Sequence, residues 1–229
     1  MTEEKKSKGK KTRENILFES RRILNEAGVF LTLRELSKII GITIGGITNY
    51  FPTKDHLFMG LAEIFEKEVA EISISDSVAQ DPSFFTFVEY LSKIMDIQFE
   101  NRSTIRFISL ASQSQKTLFD QITETWNSRK NKPLAMVQAL VDQGLLLDSI
   151  LDEFQVLVFR FRFVNIMTTW ISSYSLYDSD KPFEKVKPIY LAGVMNVFEP
   201  YLSPKGREEF DVVIDRLKTS FENRAKTID

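Results

Sequence analysis

The chain has 229 residues, 43% hydrophobic and 27% charged, which excludes disordered and fibrous classes and allows a core that needs no disulfide or metal. Cysteine is absent and His56 is the only histidine, so disulfides, thiolate metal sites, iron–sulfur clusters, cysteine nucleophiles and multi-histidine metal centres are ruled out. The net charge of −2 is unevenly spread: residues 1–57 hold 11 Lys and Arg against 7 Asp and Glu, a balance of +4, and the rest carries −6.

A basic head on an acidic body suits a polyanionic partner. Lys5, Lys6, Lys8, Lys10 and Lys11 supply five of the head's cations, however, and on charge alone a solvated leader explains them better. Met1–Lys11 is expected to be a disordered basic leader that either solubilises the chain or follows a neighbouring DNA groove. No apolar stretch follows it, since Thr12-Arg13-Glu14-Asn15 comes next, so no signal peptide is expected. Apolar runs such as Phe159-Arg160-Phe161-Arg162-Phe163 fall short of the roughly 18 residues of a membrane span. The expectation is a cytoplasmic protein with no membrane partner.

Apolar residues recur at three- and four-residue spacing throughout, which predicts an all-α fold of about nine or ten helices. The first runs over Thr12–Ala27, with Ile16, Leu17, Ile23, Leu24 and Ala27 on one stripe and Gly28 after its end. Thr32-Leu33-Arg34-Glu35 reads as a capping box that starts a second helix. That helix buries Leu33, Leu36 and Ile40 and stops at Gly41, about two turns on. Thr43 caps a third, very short helix running to about Tyr50, where Pro52 disfavours helical geometry at Phe51. Thr53 caps a fourth, Lys54 to about Ser75. Further helices are expected at about 82–100, 103–114, 117–143, 152–177, 182–201 and 204–224, with Asp81-Pro82 and Ser203-Pro204 as cap-proline starts.

Two short helices joined by a tight glycine turn form the arrangement that places a helix in the DNA major groove. Leu36, Ile40, Ile42 and Ile47 are expected to point inward, leaving Arg34, Ile44, Gly45, Gly46, Thr48 and Asn49 outward. Each glycine costs about 1 kcal/mol in a helix interior, so an outward Gly45-Gly46 pair suits close approach of another surface. A loop at Gly45-Gly46 fits the periodicity equally well.

Arg13 with Ile16-Leu17, Ala27-Gly28, Thr32, Leu36-Ser37, Gly41-Ile42-Thr43-Ile44-Gly45-Gly46-Ile47 and Tyr50-Phe51-Pro52-Thr53-Lys54-Asp55-His56-Leu57 resemble the TetR family of bacterial transcriptional repressors. The resemblance covers residues 13–57; beyond them only length and helical character match. It implies a helix-turn-helix DNA-binding domain at 12–57 and a helical ligand-binding and dimerisation domain at 58–229. By position it puts Arg34 at a base edge and Ile44, Gly45 and Gly46 where the third helix meets bases, with Ile44 on a thymine methyl. Thr43, Asn49, Tyr50 and Lys54 fall where phosphates are held, Lys54 at a helix amino terminus. Thr48 stands where the family usually has a tyrosine that holds phosphate.

The resemblance further implies a homodimer through the helices at about 152–177 and 182–201, recognition helices about 34–36 Å apart, a palindromic double-stranded operator and repression relieved by ligand. No catalytic motif, cofactor or metal site is expected, and the protein is not expected to be an enzyme. Phe99, Phe107, Phe119, Trp126, Phe159, Phe163, Met167 and Trp170 are candidates to line a cavity for a small hydrophobic or aromatic effector. Core packing is the commoner role for aromatics at helical spacing. Arg160 and Arg162 either meet an acidic partner or face solvent with their stems over apolar surface. A helical ligand- or protein-binding module without operator binding is the alternative.

Overall fold

A computed structural model describes residues 3–72, 81–110 and 132–225. Among them the chain forms ten α-helices and no named strand. These are α1 (Glu3–Ala27), α2 (Leu33–Ile40), α3 (Ile44–Thr48), α4 (Lys54–Glu71), α5 (Phe84–Glu100), α6 (Arg102–Leu110), α7 (Lys132–Asp142), α8 (Glu153–Tyr177), α9 (Phe183–Met195) and α10 (Pro204–Ala225). Short 3₁₀ helices, Asp148–Leu151 and Asn196–Tyr201, precede α8 and follow α9. The chain divides into two compact units, Met1–Glu71 with Ile97–Asn127, and Ile72–Asp96 with Ser128–Asp229.

The first unit holds α1–α4, α6 and the last turn of α5. Its core is largely aliphatic: Ile16, Leu17, Ile23 and Leu24 of α1 meet Leu36, Ile47, Leu57 and Leu61, with Phe51 and Phe58 as the buried rings. Where α1 crosses α4, a Cβ added at Gly60 would lie 3.0 Å from both Leu17 Cδ2 and Phe51 Cε1. The glycine there allows close approach of the two helices. The first unit thus reaches past Leu57 and takes in α6.

The expected disordered leader is a correction: from Glu3 onward it is the first part of α1. Lys and Glu are good helix formers, and a helix already anchored by Ile16 and Leu17 extends by one hydrogen bond per added residue.

The second unit holds α7–α10 and α5 up to Asp96. Phe198 stands at the centre of its core, with ring centroids 4.9 Å from Phe159, 5.1 Å from Phe87 and 5.8 Å from Phe84. Trp170 stacks on Phe183 at 5.3 Å. Full burial of such a ring is worth about 1.5–3 kcal/mol before ordering costs. Gly144 ends the α7 turn at φ +70, and the following backbone seats the start of α10: Ser203 N–H donates to Leu145 O (3.1 Å) and Leu147 N–H to Tyr201 O (2.8 Å). Ser203 caps α10 by accepting from Gly206 N–H at 2.9 Å, as expected.

Asp81-Pro82 does not start α5. Ser83 Oγ accepts from Thr86 N–H at 3.2 Å and starts the helix at Phe84, two residues later than a proline in the first position would. Likewise Pro182 lies just outside α9, and the last turns expected up to 201 are 3₁₀ around Pro200. Of the helices expected at 103–114 and 117–143, residues 111–131 lie outside the described residues. Among the described residues no helix is long and apolar enough to cross a membrane, and no cluster of three metal-ligating side chains occurs.

Candidate nucleic-acid interface

The α2–α3 pair is defined by local hydrogen bonds and by packing beneath it. Thr32 Oγ1 accepts from Glu35 N–H (3.2 Å) and Thr32 N–H donates to Glu35 Oε2 (2.8 Å), closing both halves of the capping box. The Thr32 N–H and the Thr32 hydroxyl, which donates to the same Oε2 at 2.7 Å, favour the carboxylate and hold Glu35 below the ordinary glutamate value. Gly41 takes φ +80, and the N–H groups of Gly41 and Ile42 both donate to Ser37 O at 3.0 Å, ending α2 in a left-handed cap. Thr43 Oγ1 then accepts from Gly46 N–H at 3.1 Å and starts α3 two residues later. Leu36 is 1% exposed and Ile47 0%, and Ile40 and Ile42 pack against the same core, so the angle between the helices is held by buried aliphatic contacts.

The candidate DNA-contact residues divide in two. Arg34, Thr43, Ile44, Gly45 and Asn49 are exposed; Gly46, Thr48, Tyr50 and Lys54 are half-buried. Gly45 and Gly46 lie inside α3, so the loop alternative does not hold. A Cβ at Gly45 would approach nothing closer than Thr43 Oγ1 at 4.0 Å, whereas one at Gly46 would lie 3.3 Å from that oxygen. Packing therefore leaves room for a larger residue at Gly45. Thr48 Oγ1 donates to Ile44 O at 3.1 Å, so its hydroxyl turns back on its own helix.

Tyr50 packs against the core while reaching α1, with its Oη 3.8 Å from a Cβ built on Gly9. Lys54 Nζ stands 5.9 Å over the Phe107 ring, and partial burial lowers its pKa against the opposing pull of Asp55 and Glu35. His56 is exposed; its N–H donates to Thr53 Oγ1 (3.3 Å), which makes Thr53 the cap of α4.

Periodicity gave no sign of the polar clamp behind this surface. Asn25 donates to Glu100 O (2.7 Å) and accepts from Ser103 N–H (3.0 Å), fastening α1 to the α5–α6 corner. Glu68 of α4 pairs with Arg21 at 2.6 Å and accepts from Asn101 Nδ2 at 2.7 Å. The contacts join residues up to 78 apart in sequence, beyond the reach of any helical pattern.

The candidate effector-lining residues are divided between the two units. Phe107 belongs to the first unit, where it stacks on Phe58 with centroids 3.7 Å apart and planes 2° from parallel. Phe159, Phe163, Met167 and Trp170 are buried along one stripe of α8 in the second unit, and Phe159 stacks on Phe163 at 5.7 Å. Trp126 and Phe119 lie outside the described residues. Phe99 is half-buried, with the Arg102 guanidinium 4.4 Å above its ring. Arg160 and Arg162 are exposed, in keeping with the solvent-facing alternative.

No protein-family model and no curated protein matches this chain. Solved structures do. A TetR-family transcriptional regulator from Marinobacter aquaeolei VT8 superposes with a TM-score of 0.77 at 18% identity, over 90% of this chain and 98% of the other. A gamma-butyrolactone receptor described as ArpA-like gives 0.63 at 15% identity, over 93% and 98%. A SmeT–triclosan complex gives 0.56 at 13% identity, over 84% and 92%. With a capped two-turn helix, a left-handed glycine and a five-residue second helix in the order the resemblance requires, and a likeness spanning nearly the whole chain, this protein has the fold of the TetR-family transcriptional regulators.

Proposed function

We propose that this protein is a sequence-specific DNA-binding transcriptional regulator rather than an enzyme, acting as a homodimer on a palindromic operator and releasing it when a small hydrophobic or aromatic effector binds. The observation that carries the reading is α3 itself: Ile44 and Gly45 are exposed while Ile47, facing away from Gly45, is fully buried. A helix so short contributes little to a core. An outward face that carries a glycine at its exposed middle suits the floor of a major groove.

In this reading Arg34 reads a base edge, Ile44 packs on a thymine methyl, Gly45 and Gly46 admit the DNA closely, and Thr43, Asn49, Tyr50 and Lys54 hold phosphates. Thr43 and Thr48 spend part of their hydrogen-bonding capacity on α3, so Thr48 contributes least. Residues 12–57 carry the DNA contacts, and residues 58–229 carry dimerisation and the effector.

The homodimer is supported by α8 and α9. Phe154 (73% exposed), Leu157 and Phe161 (70%) recur along one stripe of α8, and Ile189 of α9 is also exposed. A second copy of the chain covering that stripe removes an apolar face from water. An aromatic effector agrees with the phenylalanine-rich second unit and with the triclosan bound in the SmeT complex. Phe159, Phe163, Met167 and Trp170 of the second unit remain its proposed neighbours. Effector binding shifts the population between operator-competent and incompetent states, a coupling of about 1–3 kcal/mol.

The competing reading, a helical binding module without DNA affinity, is favoured by Thr48 alone, whose hydroxyl is turned back on α3. A mobility-shift assay on a duplex enriched from a random pool separates the two. Arg34→Ala with Lys54→Ala is expected to weaken binding at least about tenfold, with melting temperature unchanged. Unaltered binding overturns the assignment.

A further inference from the structure

The lysine-rich first turns of α1 have no part in the function above. Met1–Lys11 contains Lys5, Lys6, Lys8, Lys10 and Lys11 against Glu3 and Glu4, a net +3 in a chain whose total is −2. These residues continue a helix that runs unbroken from Glu3 to Ala27. Ile16 and Leu17, almost wholly buried, anchor that helix. Arg13 adds to the hold, its guanidinium 5.3 Å from the Phe51 ring centre and 3.1 Å from Glu63 Oε2. The direction of the lysine turns is therefore set by the packed part of the first unit.

They pass beside the candidate interface. A Cβ built on Gly9 lies 3.8 Å from Tyr50 Oη, and Lys10 and Lys11, next to it, are exposed. Lys10 is 79% exposed and makes a long 4.0 Å contact with Glu14, an ion pair too weak and solvated to occupy the cation. From Gly9 back to Glu3 the helix extends about another 9 Å at 1.5 Å per residue. Tyr50 stands where a phosphate is held in the proposed function, so the cationic helix prolongs that phosphate-facing rim.

We propose that the lysine helix, Glu3 to Lys11, is a second DNA-binding element that lies along the sugar–phosphate backbone next to the α3 contact. It adds affinity and salt dependence and carries no base discrimination. The inference rests on the proposed function, since its partner is the duplex that α2 and α3 engage.

The test uses the full chain and a variant with Lys5, Lys6, Lys8, Lys10 and Lys11 all changed to Gln, a residue of similar helix propensity. The probe is a duplex enriched from a random pool by the unaltered chain, titrated between about 50 and 200 mM salt. The slope of log K against log salt is expected to become shallower by about 2 or more per protomer, at about 0.9 per phosphate released. The preferred sequence is expected to stay the same, and the corresponding five Lys→Arg changes are expected to keep the original slope.

An unchanged slope overturns the proposal, as does an altered sequence preference or an arginine variant that behaves like the glutamine one. Lysine-dependent binding to phosphatidylglycerol vesicles with an unchanged DNA slope assigns the stretch to a membrane surface and also overturns it. Failure of the proposed function is read from a different variant: binding that survives Arg34→Ala with Lys54→Ala removes the α2–α3 reading whatever the slope does. If the unaltered chain enriches no duplex, both fall together.

Discussion

The α2–α3 pair of the first unit and the α8–α9 pair of the second are held in place by different physics. In the first, α2 and α3 are started by threonine side chains that accept backbone N–H groups, and a left-handed glycine sets the turn between them. In the second, α8 and α9 begin at Asp152 and Pro182 with no side-chain cap bond, and interlocked rings around Phe198 and Trp170 hold them instead. Local bonding fixes a small surface to fine tolerance while leaving its outer face free of packing duties. Ring packing supplies bulk stability and leaves few outward positions uncommitted. A substitution on the face of α3 should then change binding without folding, and one in the second unit the reverse.

The strongest challenge to this contrast is Gly206→Ala. Its Cβ would lie 1.8 Å from Leu145 O, a backbone atom that cannot step aside. The change is expected to cost about 5 kcal/mol or more, or to prevent folding of the second unit, measured by denaturant unfolding. A near-neutral result would show that the α7–α10 seam is looser than the ring packing implies.

Next is the pair between Lys187, side chain 10% exposed, and Asp96, 49% exposed, at 2.6 Å. Asp96→Ala leaves a buried ammonium without its carboxylate and is expected to cost about 2 kcal/mol, reduced from a fully buried pair because Asp96 is half in water. Adding Lys187→Met should recover most of that loss in the same unfolding experiment. Failure to recover would mean that the pair shapes the helix contact itself.

The smallest effect belongs to the first unit and depends on pH. The folded-state pKa of Glu35 is depressed below 4.5 by its bonds to Thr32, so its stabilising contribution is full at neutral pH. It is lost as pH falls below 4.5 through the folded value. The melting-temperature gap between the unaltered chain and Glu35→Ala should therefore be present at neutral pH and close in acid. A gap independent of pH would assign the cap to packing.

What the sequence disclosed follows the same division. Thr32, Glu35, Gly41 and Thr43 act within four residues of their partners, so the start and stop of α2 and the start of α3 were readable from neighbours alone, while the end of α3 falls at Thr48, short of the Tyr50 expected. Phe107 was read as part of the body because nothing local reveals that it stacks on Phe58, 49 positions earlier in the chain. Asn25 and Glu68 were overlooked for the same reason: their partners lie on other helices. The first turns of α1 were read as disordered because charged residues without an apolar stripe carry no periodic signal. A helix anchored further along extends through them regardless.

The claim that α3 lies against DNA is tested most directly at Gly45, where the outer face alone is altered. Gly45→Ala meets no atom closer than 4.0 Å, so the melting temperature should stay level or rise. Measured by fluorescence anisotropy on the enriched duplex, its dissociation constant should rise by about tenfold or more as the added methyl holds the helix off the bases. An alanine variant that binds that duplex as tightly as the unaltered chain would contradict the account.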